Sequence, residues 1–390
     1  MAGGNTHGTA RGLACSFGKG AIKLGPVSYL DCLVFCVFLA PQLLWQVGFF
    51  ETILCVFQAV PFLVVELPVA FIRGRYLVNR AKQSAFVRRT SPFEDFVVRC
   101  VRYAFANIPA RVGKVFFAKE VAIPFLWFRL FRHGHLGSPI YWREESEKSF
   151  RGIWIIKEPA DKPDFVLYYA HGGGFSMGSS YFYLEYFLTW LSVLSSSGYR
   201  NPAIFALEYT LVPDASFPTQ VEEAMKGYEH VLSKARDPSI VCAPTAPKAK
   251  VQTPTGISIG SRNLHLRDYL DAQQLHRYGR QFAGSGISET DPRVSPGCCN
   301  DISWWKRSSP SQGIFITYGT DEVLAPDIEG LVDTLRNAGV IVESKPESGG
   351  IHAWPVASLF LSSSRDDRLD GLMTMTREIR QRIPSNGVRD

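Results

Sequence analysis

Apolar and polar positions change their rhythm twice along this chain, and the two changes divide it. From Val27 to Ile72 there is no Lys or Arg, and the only charges are Asp31, Glu51 and Glu66. Cys32 to Phe50 alone is 19 uncharged residues, close to the roughly 20 that a membrane-spanning helix requires. A signal peptide stops after one short apolar core, whereas this run continues well past one. The pattern predicts a membrane-embedded hairpin over 27–72, or two helices turning near Glu51, with Pro41 and Pro61 kinking them. The competing reading is a buried pair of globular helices.

A second rhythm follows. Ser91-Pro92-Phe93-Glu94 is a capping box with Pro at the first helical position. Phe93, Phe96, Val97, Cys100, Val101 and Ala104 then mark one apolar helical face. After Trp142 short apolar runs alternate with helical patterns. Strands are predicted at Gly152–Lys157, Phe165–Ala170, Ala203–Tyr209, from Ser239 through Cys242, at Gly313–Tyr318 and at Val340–Glu343. Helices are predicted at Tyr181–Ser197, from Phe217-Pro218 to about Leu232, at Asp327–Ala338, and twice more at the C-terminus. Phe165–Ala170, a helix and Ala203–Tyr209 form a βαβ unit, which requires parallel pairing and a right-handed crossover. The fold class is α/β, a doubly wound, mostly parallel sheet behind an N-terminal membrane-associated helical segment. The divisions fall at 1–26 (a disordered basic tail), 27–72, 73–149 (a basic, aromatic cap or membrane-surface segment) and 150–390.

Charge sharpens this division. The chain of 390 residues carries a net +6, yet Arg73 to Arg143 alone holds fourteen Lys/Arg against three acids. Positive charge on both sides of the apolar segment places both ends on the cytoplasmic face. Aromatics interleave the basic stretch, as in Phe125 to Arg132, which suits anionic lipid; a cap helix with a solvated basic face is the plainer alternative. Nucleic acid would also want the charge, but no binding fold for it is recognisable. The eight cysteines have neither metal nor disulfide spacing, and no Asn-x-Ser/Thr site occurs, which favours a reducing, cytosol-facing domain. No cofactor or metal motif is present.

Candidate chemistry lies where predicted strands end. Phe165–Ala170 runs into His171-Gly172-Gly173-Gly174-Phe175. Three consecutive glycines, 172–174, let backbone N–H groups crowd a ligand oxygen, although a plain glycine-rich turn has the same composition. The strand ending at Tyr318 delivers Asp321 and Glu322 at a C-terminal strand end, where ligands bind in such sheets. One helix and one strand later comes Gly349-Gly350-Ile351-His352. A carboxylate beside that imidazole would fix its tautomer and stabilise its charged form.

Together, His171-Gly-Gly-Gly-Phe175, Tyr209-x-Leu-x-Pro-Asp214, Phe217-Pro218, Asp291-Pro-x-x-Ser295-Pro296 and the Gly-x-His352 loop resemble the hormone-sensitive-lipase type of α/β hydrolase. The resemblance covers about Phe150 to Ile383 and is greatest to membrane-anchored fungal members such as steryl-acetate deacetylase-like proteins. It implies carboxylic-ester hydrolysis through a serine acyl-enzyme, with Gly173 and Gly174 as oxyanion donors and His352 as base. The acid is Glu322 if Leu324 sets the register, or Asp321 if counting starts at Gly319. The implied partners are membrane lipid and a hydrophobic or sterol-like ester, at the endoplasmic reticulum or a lipid droplet.

One part of the family pattern is missing. Where a Gly-Asp-Ser-Ala-Gly elbow should follow Cys242, the chain reads Ala243-Pro-Thr-Ala-Pro-Lys-Ala-Lys250. A formal Gly-x-Ser-x-Gly occurs at Gly256–Gly260 and makes Ser258 the candidate nucleophile, but polar residues follow it instead of an apolar helix. Thr255–Ile259 reads better as the remnant of the sheet's next strand than as a working nucleophile, and Ser176 and Ser179 are no better placed. A skipped exon or mistaken splice junction would leave such a break at about 243–267. The rival expectation is therefore a non-catalytic α/β-hydrolase relative that binds lipid or a partner at the membrane.

Overall fold

A computed structural model describes residues 23–136, 141–235, 237–243 and 268–385. The apolar segment forms two helices, Tyr29–Gln46 and Phe49–Leu77, both long and apolar enough to cross a membrane by length and composition. The turn between them falls at Val47-Gly48, just before Glu51, because Gly48 supplies the φ of 103° that reverses the chain. Leu43 anchors that turn: its carbonyl accepts the N–H groups of Val47 and Gly48 at 3.0 and 3.2 Å. The second helix also runs past Ile72. π-helical turns at Phe62–Glu66 and Arg73–Leu77 carry it beyond Pro61 and beyond the first arginines. Its apolar side chains face outward, with Phe50 86% exposed.

The first helix is fastened to the body at its polar end. Ser28 and Asp31 form a capping box there. Asp31 and Arg129 are fully buried, and the Arg129 guanidinium meets Asp31 at 3.3 Å and grips Glu185 with two bonds of 2.7 and 3.1 Å. Arg129 belongs to the helix Lys119–Arg132 and Glu185 to the helix Leu184–Ser196. One guanidinium therefore joins three elements, and its fork geometry suits two carboxylates better than an ammonium would.

Among the described residues seven strands follow: β1 (Trp142–Ser146), β2 (Arg151–Ile156), β3 (Phe165–Ala170), β4 (Pro202–Leu207), β5 (Val241–Cys242), β6 (Ile314–Gly319) and β7 (Val342–Glu347). Five of them form a sheet in the order β1-β2-β4-β3-β5, while β6 and β7 pair separately among the described residues. The β3–β4, β3–β5 and β6–β7 pairs are parallel, and β1–β2 and β2–β4 are antiparallel. Strand β1, Trp-Arg-Glu-Glu-Ser, escapes the periodicity analysis because charge dominates it, as suits an exposed edge. Between β5 and β6 the chain passes through 244–267, outside the described residues.

Alternation along the central strands sorts side chains to two covered faces. Phe165, Leu167, Ile204 and Ala206 pack with Trp190 and Leu194 of Leu184–Ser196 and with Leu372 of the last helix, Arg365–Arg382. Val166, Tyr168, Phe205 and Leu207 face Val231 of Thr219–Lys234. Phe205 lies fully buried, its ring centroid 5.0 Å from that of Trp154, a site whose truncation to Ala costs about 3–5 kcal/mol. The helix Arg365–Arg382 joins the two sheets. Its Thr376 accepts the Trp190 indole N–H at 3.1 Å, and its Thr374 accepts the Lys345 ammonium of β7 at 2.9 Å.

Candidate active site

Strand β3 ends in the glycine loop. Gly173 has a φ of +117°, and a Cβ added there would lie 2.0 Å from the Met177 carbonyl oxygen. No L side chain fits, so the loop folds tightly because the position is glycine. Ser176 and Met177 donate their N–H groups back to the Gly173 carbonyl at 3.1 and 3.2 Å. Among the described residues no acceptor meets the Gly173 or Gly174 N–H. Tyr209 clasps the loop from behind: its hydroxyl donates to the His171 carbonyl at 2.7 Å, and its ring stacks on the imidazole at 4.3 Å. Val212 donates to the Phe175 carbonyl at 2.8 Å. His171 itself is buried and sits 2.8 Å from the Gly172 carbonyl; burial holds its pKa below the usual imidazole value. It is thus a neutral strut of the loop.

Strands β6 and β7 deliver the second group of residues. A Cβ at Gly319 would lie 2.1 Å from the Gly350 carbonyl oxygen, so the loops after β6 and β7 touch backbone to backbone. Asp321 donates its N–H to that same carbonyl at 2.9 Å, and Gly349 donates to the Thr320 hydroxyl at 2.8 Å. This contact brings Glu322 Oε2 to 3.8 Å from His352 Nδ1. At that distance the pair is an ion-pair contact and not a hydrogen bond. Both acids are buried, but the carboxylate paired with His352 is that of Glu322; Asp321 is built into the turn by its backbone. Burial opposes a charged imidazole, yet Glu322, with help from Asp268, outweighs it and holds the His352 pKa above the usual value. His352 keeps 28% of its side-chain surface open.

Aromatic contacts span the interval between the glycine loop and the His352 loop. Phe182, just past the glycine loop, lies 6.2 Å from Phe360 of the helix that follows His352. Tyr183 sits 6.1 Å from Tyr169, two residues before His171, and Tyr269 lies 5.9 Å from His352. Burial first, then the neighbouring Tyr183, Tyr186, Tyr209 and Tyr269, push the Tyr169 phenol far above its usual pKa. These phenols therefore stay neutral and line the interval as apolar bulk with weak polar tips.

Ser258 lies outside the described residues. Ser176 is fully buried, with its hydroxyl 3.5 Å from the Gly174 carbonyl, and Ser179 donates to the Phe117 carbonyl. Asp268 escapes the sequence reading. It is buried and accepts the N–H groups of Val323 and His352 at 2.9 and 3.0 Å, and no local motif marks it. Among the described residues one cluster could hold a cation, namely Glu145, Glu147 and His230, with ligand atoms within 4.8 Å of one another. It lies by β1, the edge strand of the sheet farthest from β3 and β5, and Arg143 already faces Glu145 at 3.5 Å.

No family model matches the sequence, and no curated protein matches it. The structure does have solved relatives. An esterase from the bacterial hormone-sensitive lipase family aligns with a TM-score of 0.56 at 16% identity, covering 75% of this chain and 99% of that one. EstE7, a homologue of that lipase from a metagenome library, gives 0.54 at 18%, covering 74% and 98%. An esterase of Pyrobaculum calidifontis gives 0.55 at 16%, covering 75% and 98%. At such identities the likeness is one of fold.

Proposed function

From an α/β-hydrolase fold of the hormone-sensitive-lipase type, we propose that this chain is a membrane-anchored carboxylic-ester hydrolase acting on a hydrophobic, lipid-like or sterol-like ester. The observation that carries the reading is the Glu322–His352 pair at 3.8 Å, held by two loops in backbone contact on the same fold as the glycine loop. In the reaction a serine hydroxyl attacks the acyl carbonyl and His352 takes its proton. The Gly173 and Gly174 N–H groups receive the oxyanion, and His352 returns the proton to the leaving alcohol. Water then repeats the sequence on the acyl-enzyme. Glu322 steadies the imidazolium formed in each step.

Two features support the membrane and the substrate class. The outward-facing apolar helix Phe49–Leu77 carries exposed Arg73 near its end and is followed by exposed Arg80, Lys82, Arg88 and Arg89, a charge pattern that suits the anionic cytoplasmic leaflet of the endoplasmic reticulum or of a lipid droplet. The helix Pro92–Asn107 touches that helix through Tyr103 on Phe62 and the His352 loop through Val98 on Ile351, a link that favours esters partitioning into lipid. A second reading is favoured by one observation: 243–267 contains no Gly-Asp-Ser-Ala-Gly, and without a nucleophile the acid–His pair retains only a small part of its catalytic power. That reading is a non-catalytic relative binding lipid or a partner. A fluorophosphonate probe separates the two. Labelling of the full chain that is lost in Ser258→Ala establishes the hydrolase, and an unlabelled, folded chain establishes the non-catalytic form.

A further inference from the structure

The His352 loop is built on more than the sheet. Ile351 is buried together with Phe86 and Val98, which come from the helices Ala85–Arg89 and Pro92–Asn107. Arg89 donates to the Ser348 carbonyl. Beneath His352, the fully buried Asp268 offers one carboxylate to three backbone N–H groups. Oδ1 accepts from His352 at 3.0 Å and from Tyr269 at 2.7 Å, and Oδ2 accepts from Val323 at 2.9 Å. Val323 is the neighbour of Glu322. Arg102 of Pro92–Asn107 donates Nε to the Asp268 carbonyl, and Gln274 reaches back to the Ala106 carbonyl of the same helix at 2.6 Å.

We propose that Asp268 is a positioning residue. One buried carboxylate holds the loop of Glu322 and the loop of His352 at a fixed separation, and Arg102 ties that clasp to the membrane-proximal helix Pro92–Asn107. The proposal rests on His352 acting as the base described above. Its physical basis is the cost of burying a carboxylate, which is offset only when its lone pairs are filled. Here they are filled by N–H groups from both loops, so neither loop can move without leaving a buried charge short of a donor. The charged groups around His352 are Glu322 and Asp268, with Arg102 behind Asp268.

Asp268→Asn tests this, because it preserves shape while replacing one acceptor oxygen with an NH2 and removing the charge. Histidine-labelled NMR titration of the full chain in micelles should show the His352 imidazole deprotonating at lower pH than in the unaltered protein. Ester turnover should fall about tenfold to a hundredfold in kcat with KM little changed. Amide exchange on the unaltered protein gives a readout that needs no variant: the His352 and Val323 N–H groups should be protected together, and Arg102→Met should loosen both. A folded Asp268→Asn protein with an unmoved imidazole titration would overturn the proposal, as would unprotected amides at both positions. If the unaltered chain hydrolyses no ester but the titration still shifts, the hydrolase reading fails and the clasp stands.

Discussion

Glu322→Gln puts the acid–His pair to its most direct test. The substitution keeps the shape of the side chain and removes the charge 3.8 Å from His352 Nδ1. At that separation opposite unit charges attract by about 4 kcal/mol at an effective dielectric constant of about 20. His352 keeps 28% of its side-chain surface in contact with solvent, and screening reduces the useful part to about 2–3 kcal/mol. The imidazolium exists in the transition state and not in the resting base, so the loss falls on kcat, by about 30- to 150-fold. The pH profile adds a sign. His352 must be neutral to act as base, and Glu322 holds its pKa up, so the acid limb of kcat/KM should move to lower pH in Glu322→Gln. Stability follows the same linkage: the pair's contribution is complete below the unfolded imidazole value of about 6.5 and is lost as pH rises through the folded value. That dependence should vanish in the variant. Hydrolysis of p-nitrophenyl butyrate across pH 5–9 measures the rates. Activity within threefold of the unaltered chain, with an unmoved acid limb and a much larger loss in Asp321→Asn, would refute the reasoning and make Asp321 the acid.

Three further outcomes follow from named contacts. Gly173→Ala forces a Cβ to within 2.0 Å of the Met177 carbonyl at a φ of +117°; the loop should rearrange, with about 1–3 kcal/mol lost in urea melts and a loss of fluorophosphonate labelling. Arg129→Met strands the buried carboxylate of Glu185 while Asp31 keeps Arg132 and Ser28, and the expected cost is about 3–5 kcal/mol by thermal or urea melting; a change below about 1 kcal/mol would mean water fills the gap. Val60→Arg combined with Val64→Arg places two charges midway along Phe49–Leu77, each costing about 2.5–3.5 kcal/mol in a bilayer core. Flotation with liposomes should fail for that variant, and unchanged flotation would remove the spanning helix.

Legibility tracked how local each signal was. Strand β3 has the bounds its apolar run predicts, because a strand covered on both faces needs no partner to be recognised. The helix Pro92–Asn107 begins where its capping box says, with Ser91 accepting from Glu94. Strand β7, expected at Val340–Glu343, begins at Val342 and ends four residues later than expected, at Glu347, because pairing with β6 carries the polar part Ser-Lys-Pro-Glu. Arg73 and Arg75 look like the end of a helix, yet arginine continues a helix readily, and the end comes only after Leu77. In the site, the glycine loop and the Gly-His loop are visible because each occupies consecutive residues. Asp268 is not, since its partners Val323 and His352 are distant in sequence and its role exists only once the chain has closed.

The contact of Ile351 with Phe86 and Val98 has a consequence for how such an enzyme can be deployed. Many membrane-tethered catalysts hang from a stalk, which sets how far they roam and where they can be clipped free. Here the chain leaving the apolar helix at Leu77 enters the scaffold of the histidine within ten residues, at Phe86. If Phe49–Leu77 spans a bilayer as proposed, that short link leaves no slack to extend: a protease cutting between the helix and Phe86 would cut into the scaffold of His352, and an ester would have to meet the site at a fixed height above the lipid.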